Sequence, residues 1–143
     1  MFVNNILSAK GDDVVTIAPT AKLHDAVKLL SERRIGALVV TGAGNRVVGI
    51  VSERDVVRNL ARHGEKALSI SLTEVMTRKV VTCVPQDHIS AIMENMTAGK
   101  FRHIPVIDDG KLAGIISIGD VVKSRLNEME HEQSALRDYI QTA

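Results

Sequence analysis

Aromatic residues are scarce in this chain. Phe, Tyr and Trp make up 2% of 143 residues, and Trp is absent. Platforms that stack nucleic-acid bases need several such rings, so nucleic acid is not an expected partner. The same scarcity leaves the core to Val, Ile, Leu, Ala and Met. Cysteine is nearly missing too. Cys83 stands alone and has no partner for an internal disulfide. That fits a reducing, cytoplasmic setting, as does an N-terminus without a signal-like stretch. Cys83 reads as a small buried hydrophobe, not a redox centre. Net charge is almost nil, with 18 Lys+Arg against 17 Asp+Glu. No global field draws in nucleic acid or an anionic membrane. No apolar run approaches the length of a membrane span. The five histidines (His24, His63, His88, His103, His131) show no metal-ligand spacing. Nucleophile elbow, Cys/His pair and paired-carboxylate motif are all lacking, so no enzyme chemistry is visible.

What is present is a repeat. The chain is 45% hydrophobic and 24% charged, ordinary for a globular protein of one domain or two intimate halves. Val15-Thr16-Ile17-Ala18-Pro19 returns as Val81-Thr82-Cys83-Val84-Pro85. Gly49-Ile50-Val51-Ser52-Glu53-Arg54-Asp55 returns as Gly114-Ile115-Ile116-Ser117-Ile118-Gly119-Asp120. A long unit that recurs only once implies two similar halves facing each other, because solenoids need more copies to bury a continuous core. Such a pair has a pseudo-two-fold axis and two related clefts.

Local patterning gives each copy the same order. Residues 2–8 predict a short helical lead-in, with Asn5-Ile6-Leu7 echoed by Glu74-Val75-Met76. Lys10-Gly11-Asp12-Asp13 predicts a polar loop. Val14 to Ile17 predicts a short strand stopped by Pro19. Leu23, Ala26, Val27 and Leu30 recur at helical spacing. Ile35 to Val40 is a continuous apolar run, hence a strand buried on both faces. Thr41 to Asn45 predicts a hairpin turn, Val47 to Val51 the return strand, and Ser52 caps a helix to about Arg62. The second copy predicts strand 80–84, helix 87–98, strands 103–107 and 111–116, and a helix from about 118. Relative to the first, it gains one residue before its middle strand and loses two in its hairpin turn. The chain therefore divides into a first copy with its lead-in (1–64), a linker (65–72), a second copy (73–125) and a C-terminal helical extension (126–143). Along the last helix and into that extension, Val122, Leu126, Met129, Leu136 and Ile140 keep heptad steps, with Gln133 at the missing position. This stripe packs either on its own domain or on another chain.

The β-α-β-β-α unit resembles the cystathionine-β-synthase (CBS) domain. It opens on hydrophobic-x-hydrophobic-x-Pro, has a middle strand like His103-Ile104-Pro105-Val106-Ile107-Asp108, and closes on Gly-hydrophobic-hydrophobic-Ser-x-x-Asp. The resemblance covers roughly residues 3–125. It implies an α+β fold in which two βαββα CBS repeats pack face to face as a pseudo-two-fold module, here with an extended C-terminal helix. It further implies a non-catalytic regulatory module, often a homodimer. Such modules bind an adenosine-containing ligand (AMP, ADP, ATP, NAD or S-adenosylmethionine) and act on an attached or separate protein, here unidentified. With nothing attached, the chain is similar to stand-alone bacterial CBS proteins. The competing implication is an interaction module with no nucleotide.

A nucleotide cleft needs a carboxylate for the ribose hydroxyls, cations or free N–H groups for phosphate, and an apolar slot for adenine. By the resemblance each site is crossed between copies. One joins Thr16, Ala37 and Leu38 with Arg102, His103, Ser117 and Asp120. The other joins Thr82, Ile104 and Pro105 with Ser52, Arg54 and Asp55. Arg102-His103 stands where the first copy has Ile35-Gly36, so the Asp120 site ranks first for a phosphorylated nucleotide. Ser52, Asp55, Ser117 and Asp120 also suit plain helix capping, which coexists with ligand contact.

Overall fold

The computed structural model describes residues 1–11 and 13–142; Asp12 of the polar loop and Ala143 lie outside the described residues. The first copy contains β1 (Thr16–Ile17), α1 (Leu23–Arg33), β2 (Ala37–Thr41), β3 (Val47–Ser52) and α2 (Glu53–His63). The second contains α3 (Ile89–Gly99), β4 (His103–Asp108), β5 (Lys111–Ser117) and α4 (Ile118–Thr142). Each copy is preceded by a short lead-in helix, Val3–Lys10 for the first and Leu72–Val75 for the second. The 65–72 stretch is mostly a 3-10 turn, Gly64–Ser69.

The sheets show how closely the copies match, and where they part. β1 runs parallel to β2, and β2 pairs antiparallel with β3. β4 pairs antiparallel with β5, but the expected strand at 80–84 shrinks to a single bridge, Cys83 to Val106. One side chain accounts for this. In the first copy the Val39 N–H donates to the Val15 carbonyl at 3.4 Å. The equivalent donor in β4 is Pro105, which has no N–H. Only the rungs on either side of Cys83 remain: its N–H to the Pro105 carbonyl (3.0 Å), and the Ile107 N–H to its own carbonyl (2.8 Å).

Ladder register also corrects the alignment of the copies. Ala37 faces Ser52 and His103 faces Ser117, so Gly36-Ala37 is the true counterpart of Arg102-His103. The middle strands therefore begin in step. The length difference falls in the hairpins, where Thr41 reaches Val47 but Ile107 reaches Leu112.

Two aliphatic cores result, and the lead-ins are exchanged between them. Leu23, Leu30, Leu38, Val40 and Val51 of the first copy enclose Leu72, Val75 and Met76, which precede the second. Ile89, Ile92, Met96, Ile104, Val106 and Ile116 enclose Val3 and Ile6 from the chain's start. The lead-in grouped by chain order with 1–64 thus packs on the other half. Backbone bonds fix the exchange: Val3 N–H to the Asp87 carbonyl and Leu72 N–H to the Ala21 carbonyl (2.9 and 2.8 Å). The repeated glycine of the closing motif makes room for it. A Cβ at Gly49 would lie 2.5 Å from Met76 Sδ, and one at Gly114 would lie 2.5 Å from Leu7 Cδ2. Strand alternation sends Leu38 and Val40 into one core and Ile104 and Val106 into the other. Ala37, Val39 and Pro105 turn to the opposite faces and are buried there.

Candidate functional site

A Ser-x-x-Asp carboxylate opens the last helix of each copy, Asp55 and Asp120, and their surroundings differ. Ser52 precedes α2, and its N–H and Oγ both donate to Asp55 Oδ2, at 2.9 and 3.1 Å. Asp55 Oδ1 accepts from Thr77 Oγ1 at 3.2 Å, with Arg58 Nη1 at a looser 3.7 Å. Asp55 is thereby pinned at the floor of a cleft of about 580 Å³.

Three chain segments build this cleft. The start of α2 brings Ser52 to Asp55 and Arg58. The stretch after the second lead-in brings Thr77, Lys79, Val80 and Val81. The end of α3 and the first residue of β4 bring Lys100, Phe101, Arg102 and His103. Its cations are Arg54, Arg58, Lys79, Lys100 and Arg102, against the acids Glu53 and Asp55. Arg54 Nη1 donates to the Lys100 carbonyl at 3.2 Å and ties two walls together. Phe101 and the two valines add apolar surface. His103 packs its ring beside Gly36, where a Cβ would meet Cε1 at 3.1 Å. Burial holds the imidazole below its ordinary range, more than the nearby Glu53 carboxylate raises it. A neutral ring here both donates and accepts hydrogen bonds.

Asp120 is engaged differently. The Ser117 N–H donates to its Oδ2 at 2.9 Å, and the Asp120 N–H donates back to Ser117 Oγ at 3.1 Å. The same Oδ2 takes Lys10 Nζ at 2.7 Å, and Lys10 also donates to the Ile115 carbonyl at 3.0 Å. Burial alone would push the Asp120 carboxyl up. The Lys10 and Ser117 hydrogen bonds outweigh it and hold the group below the usual carboxylate range. Leu7 and Met76 take equivalent places against Gly114 and Gly49, so Lys10 is the counterpart of Lys79. One lysine borders an open cleft; the other is bonded to Asp120.

The expected residues are therefore gathered in a new combination. Ser52, Arg54 and Asp55 share one cleft with Arg102 and His103, and His103 also lies beside Ser117 and within reach of the Lys10 and Asp120 charges. The physical reason is that β4 starts beside Gly36, where the missing Cβ leaves space for the His103 ring. Ala37 is buried opposite Ser52, Leu38 and Ile104 are consumed by the two cores, and Pro105 is buried. Thr16 and Thr82 are exposed, and the second-copy segment meets the cleft slightly earlier, at Thr77 to Val81. Thr77, Lys79, Lys100 and Phe101 were not anticipated. The pairing of Lys10 with Lys79 was the available signal, hidden by the loop that separates each from its strand.

A profile for the CBS domain matches residues 8–62 and 72–127. The chain belongs to the CBS-domain family. Among solved structures it is similar to the CBS-domain-containing protein ATU1752 from Agrobacterium tumefaciens. The two share 48% identity with a TM-score of 0.83, over 87% of this chain and 92% of that one. It is also similar to the CBS domain protein PAE2072 from Pyrobaculum aerophilum, solved in complex with AMP. That match has 26% identity and a TM-score of 0.75, over 84% of this chain and 89% of the other. The mitochondrial CBS domain-containing protein CBSX3 of Arabidopsis thaliana is 37% identical over 123 residues. This chain aligns over 83% of its own length and spans 60% of that protein. Among the described residues, no helix is long and apolar enough to cross a membrane.

Proposed function

We propose that this CBS pair is a non-catalytic regulatory module that binds a phosphorylated, adenosine-containing ligand (AMP, ATP or NAD) in the Asp55 cleft. The observation that carries this reading is the conjunction there of one fixed carboxylate with five cationic side chains. Asp55 Oδ1, held by only a hydroxyl and a loose guanidinium, accepts from the ribose hydroxyls. Arg102, Lys79 and Arg54 meet the phosphates. Phe101, Val80 and Val81 flank the base. The AMP complex of the Pyrobaculum protein supports an adenosine ligand for this fold. Occupancy joins walls drawn from both copies and biases how they sit together, by as much as the ligand's affinity differs between the two arrangements. The protein acts in the cytoplasm on an unidentified target.

Native mass spectrometry of purified protein, followed by calorimetric titration with AMP, ADP, ATP, NAD and S-adenosylmethionine, tests this. A bound ligand whose affinity falls about tenfold or more in Asp55→Asn supports the assignment. Silence across the panel with folded protein overturns it. A second reading, an interaction module without nucleotide, is favoured by the exposed apolar residues of α4, and silence would leave it standing.

A further inference from the structure

We infer that the distal half of α4 pairs with the same helix of a second copy of this chain, as a parallel, in-register two-stranded coiled coil. α4 has two distinct faces. Val121 and Ser124 are buried against the helix's own domain, and Glu128 on the same side meets the N-terminal amine at 3.0 Å. The other face carries Val122, Leu126, Met129, Leu136 and Ile140, which are 45–65% exposed. From Met129 onward every described residue is exposed, so the last three to four turns, about 20 Å of helix, leave the domain. A free helix of that length is marginal in water, and this one displays Leu136, Tyr139 and Ile140.

The spacing identifies the occupant. Leu126, Gln133 and Ile140 fall at the a positions of a heptad, with Val122, Met129 and Leu136 at d. The flanking g positions carry Arg125 and Glu132, and the e positions carry Lys123, Glu130 and Arg137. In a parallel pair each g residue meets the e residue five places on in the other helix. Arg125 then faces Glu130 and Glu132 faces Arg137, all opposite in sign. A fully overlapped antiparallel pair sets Glu132 against Glu132, Glu130 against Glu130, and Lys123 against Arg137. Like charges therefore disfavour that orientation. Gln133 meets its own copy only in the parallel register, where a lone polar a residue fixes alignment.

The test is interchain cross-linking of the full-length Gln133→Cys variant under mild oxidation, with sedimentation to read the oligomer. Native Cys83 is buried and gives little background. A dimer that cross-links at position 133 is expected. Glu132→Arg in the same background should slow cross-linking about tenfold, and adding Arg137→Glu should restore it. Residues 132 and 137 are too far apart along one helix to pair within it, so rescue reports the interchain contact. A monomer at micromolar concentration, a dimer that does not cross-link at 133, or a second-site change that fails to rescue would each overturn the inference. Cross-linking only between cysteines placed at 126 and 136 would instead identify an antiparallel pair and also overturn it.

Discussion

Lys10→Ala removes the cation that occupies Asp120 and should open a second binding site beside that carboxylate. Two effects follow from one bond, and they have opposite signs. Stability falls, because a charge-assisted hydrogen bond of 2.7 Å is lost from a carboxylate whose side chain is 23% exposed. A buried bond of this kind is worth about 1.5–3 kcal/mol. Lys10 itself is 33% exposed, so screening reduces the expected loss to about 1 kcal/mol. The pH dependence has a defined direction. Asp120 is held below the usual carboxylate range in the folded chain, so the bond stabilises fully above the unfolded value of about 4. The contribution fades as pH falls through the lowered folded value, and the mutant and parent should converge in acid. Binding, by contrast, gains a site. The freed Oδ2 retains the Ser117 N–H and offers its remaining lone pair to a ribose, the role proposed for Asp55. Titration with AMP should pass from one equivalent per chain to two. Lys10→Ala combined with Asp120→Asn should return to one. A parent that already takes two equivalents of equal affinity, or a Lys10→Ala variant that stays at one, would refute the reasoning.

Charge at the open cleft predicts that Arg102→Ala and Lys79→Ala each weaken AMP about tenfold by calorimetry, whereas exposed Lys28→Ala, away from the cleft, leaves affinity unchanged. Gly49→Ala should cost about 2 kcal/mol in denaturant unfolding and Gly114→Ala about 1. The first Cβ meets both Met76 and the Thr77 carbonyl at 3.1 Å, whereas the second meets only the flexible Leu7; a reversed order contradicts the packing argument. Burial, and then the charge of Asp87, push the Cys83 thiol up to about 12. It stays neutral in the folded chain, so that contribution to stability is present below the free thiol value of about 8.5 and lost as pH rises toward 12. Alkylation near pH 8 should therefore be slow in native protein and rapid in denaturant; prompt native labelling would show that the thiol is not enclosed.

Much of the fold is legible because local chemistry repeats. Pro19 and Pro85 stop the opening segments, the apolar runs at Ala37 and Ile104 pass through both faces of a sheet, and Ser-x-x-Asp opens the final helix of each copy. What the sequence concealed was long-range. Pro105 alone gives no local sign that it would strip rungs from a strand more than twenty residues earlier. The exchange of lead-ins is invisible in the order of the chain, since Val3, Ile6, Leu72 and Val75 suit either aliphatic core equally well. The alignment of the copies slipped for a related reason. Sliding the middle strands by one residue made Gly36 the partner of His103. In the structure the two are in contact across the module, with the ring lying where a side chain on Gly36 would have been.

The exchanged lead-ins also explain why near-identical motifs yield unlike clefts. Each lead-in crosses the sheet of the other half at the repeated glycine and delivers a lysine beside that half's Ser-x-x-Asp. From that point the two segments differ. Lys79 runs directly into Val80 and Val81, which line the Asp55 cleft and hold the backbone along its wall. Lys10 is followed by Gly11, with a φ of 91°, and its side chain reaches Asp120 and the Ile115 carbonyl instead. The Ser-x-x-Asp motifs stay the same, and what differs is where each lysine lies. Shortening the 10–15 loop to match 79–81 should draw Lys10 away from Asp120 and reproduce the second equivalent of bound nucleotide expected of Lys10→Ala, with the lysine still in place. Unchanged stoichiometry in that variant would show that the ion pair, and not the loop, sets the difference.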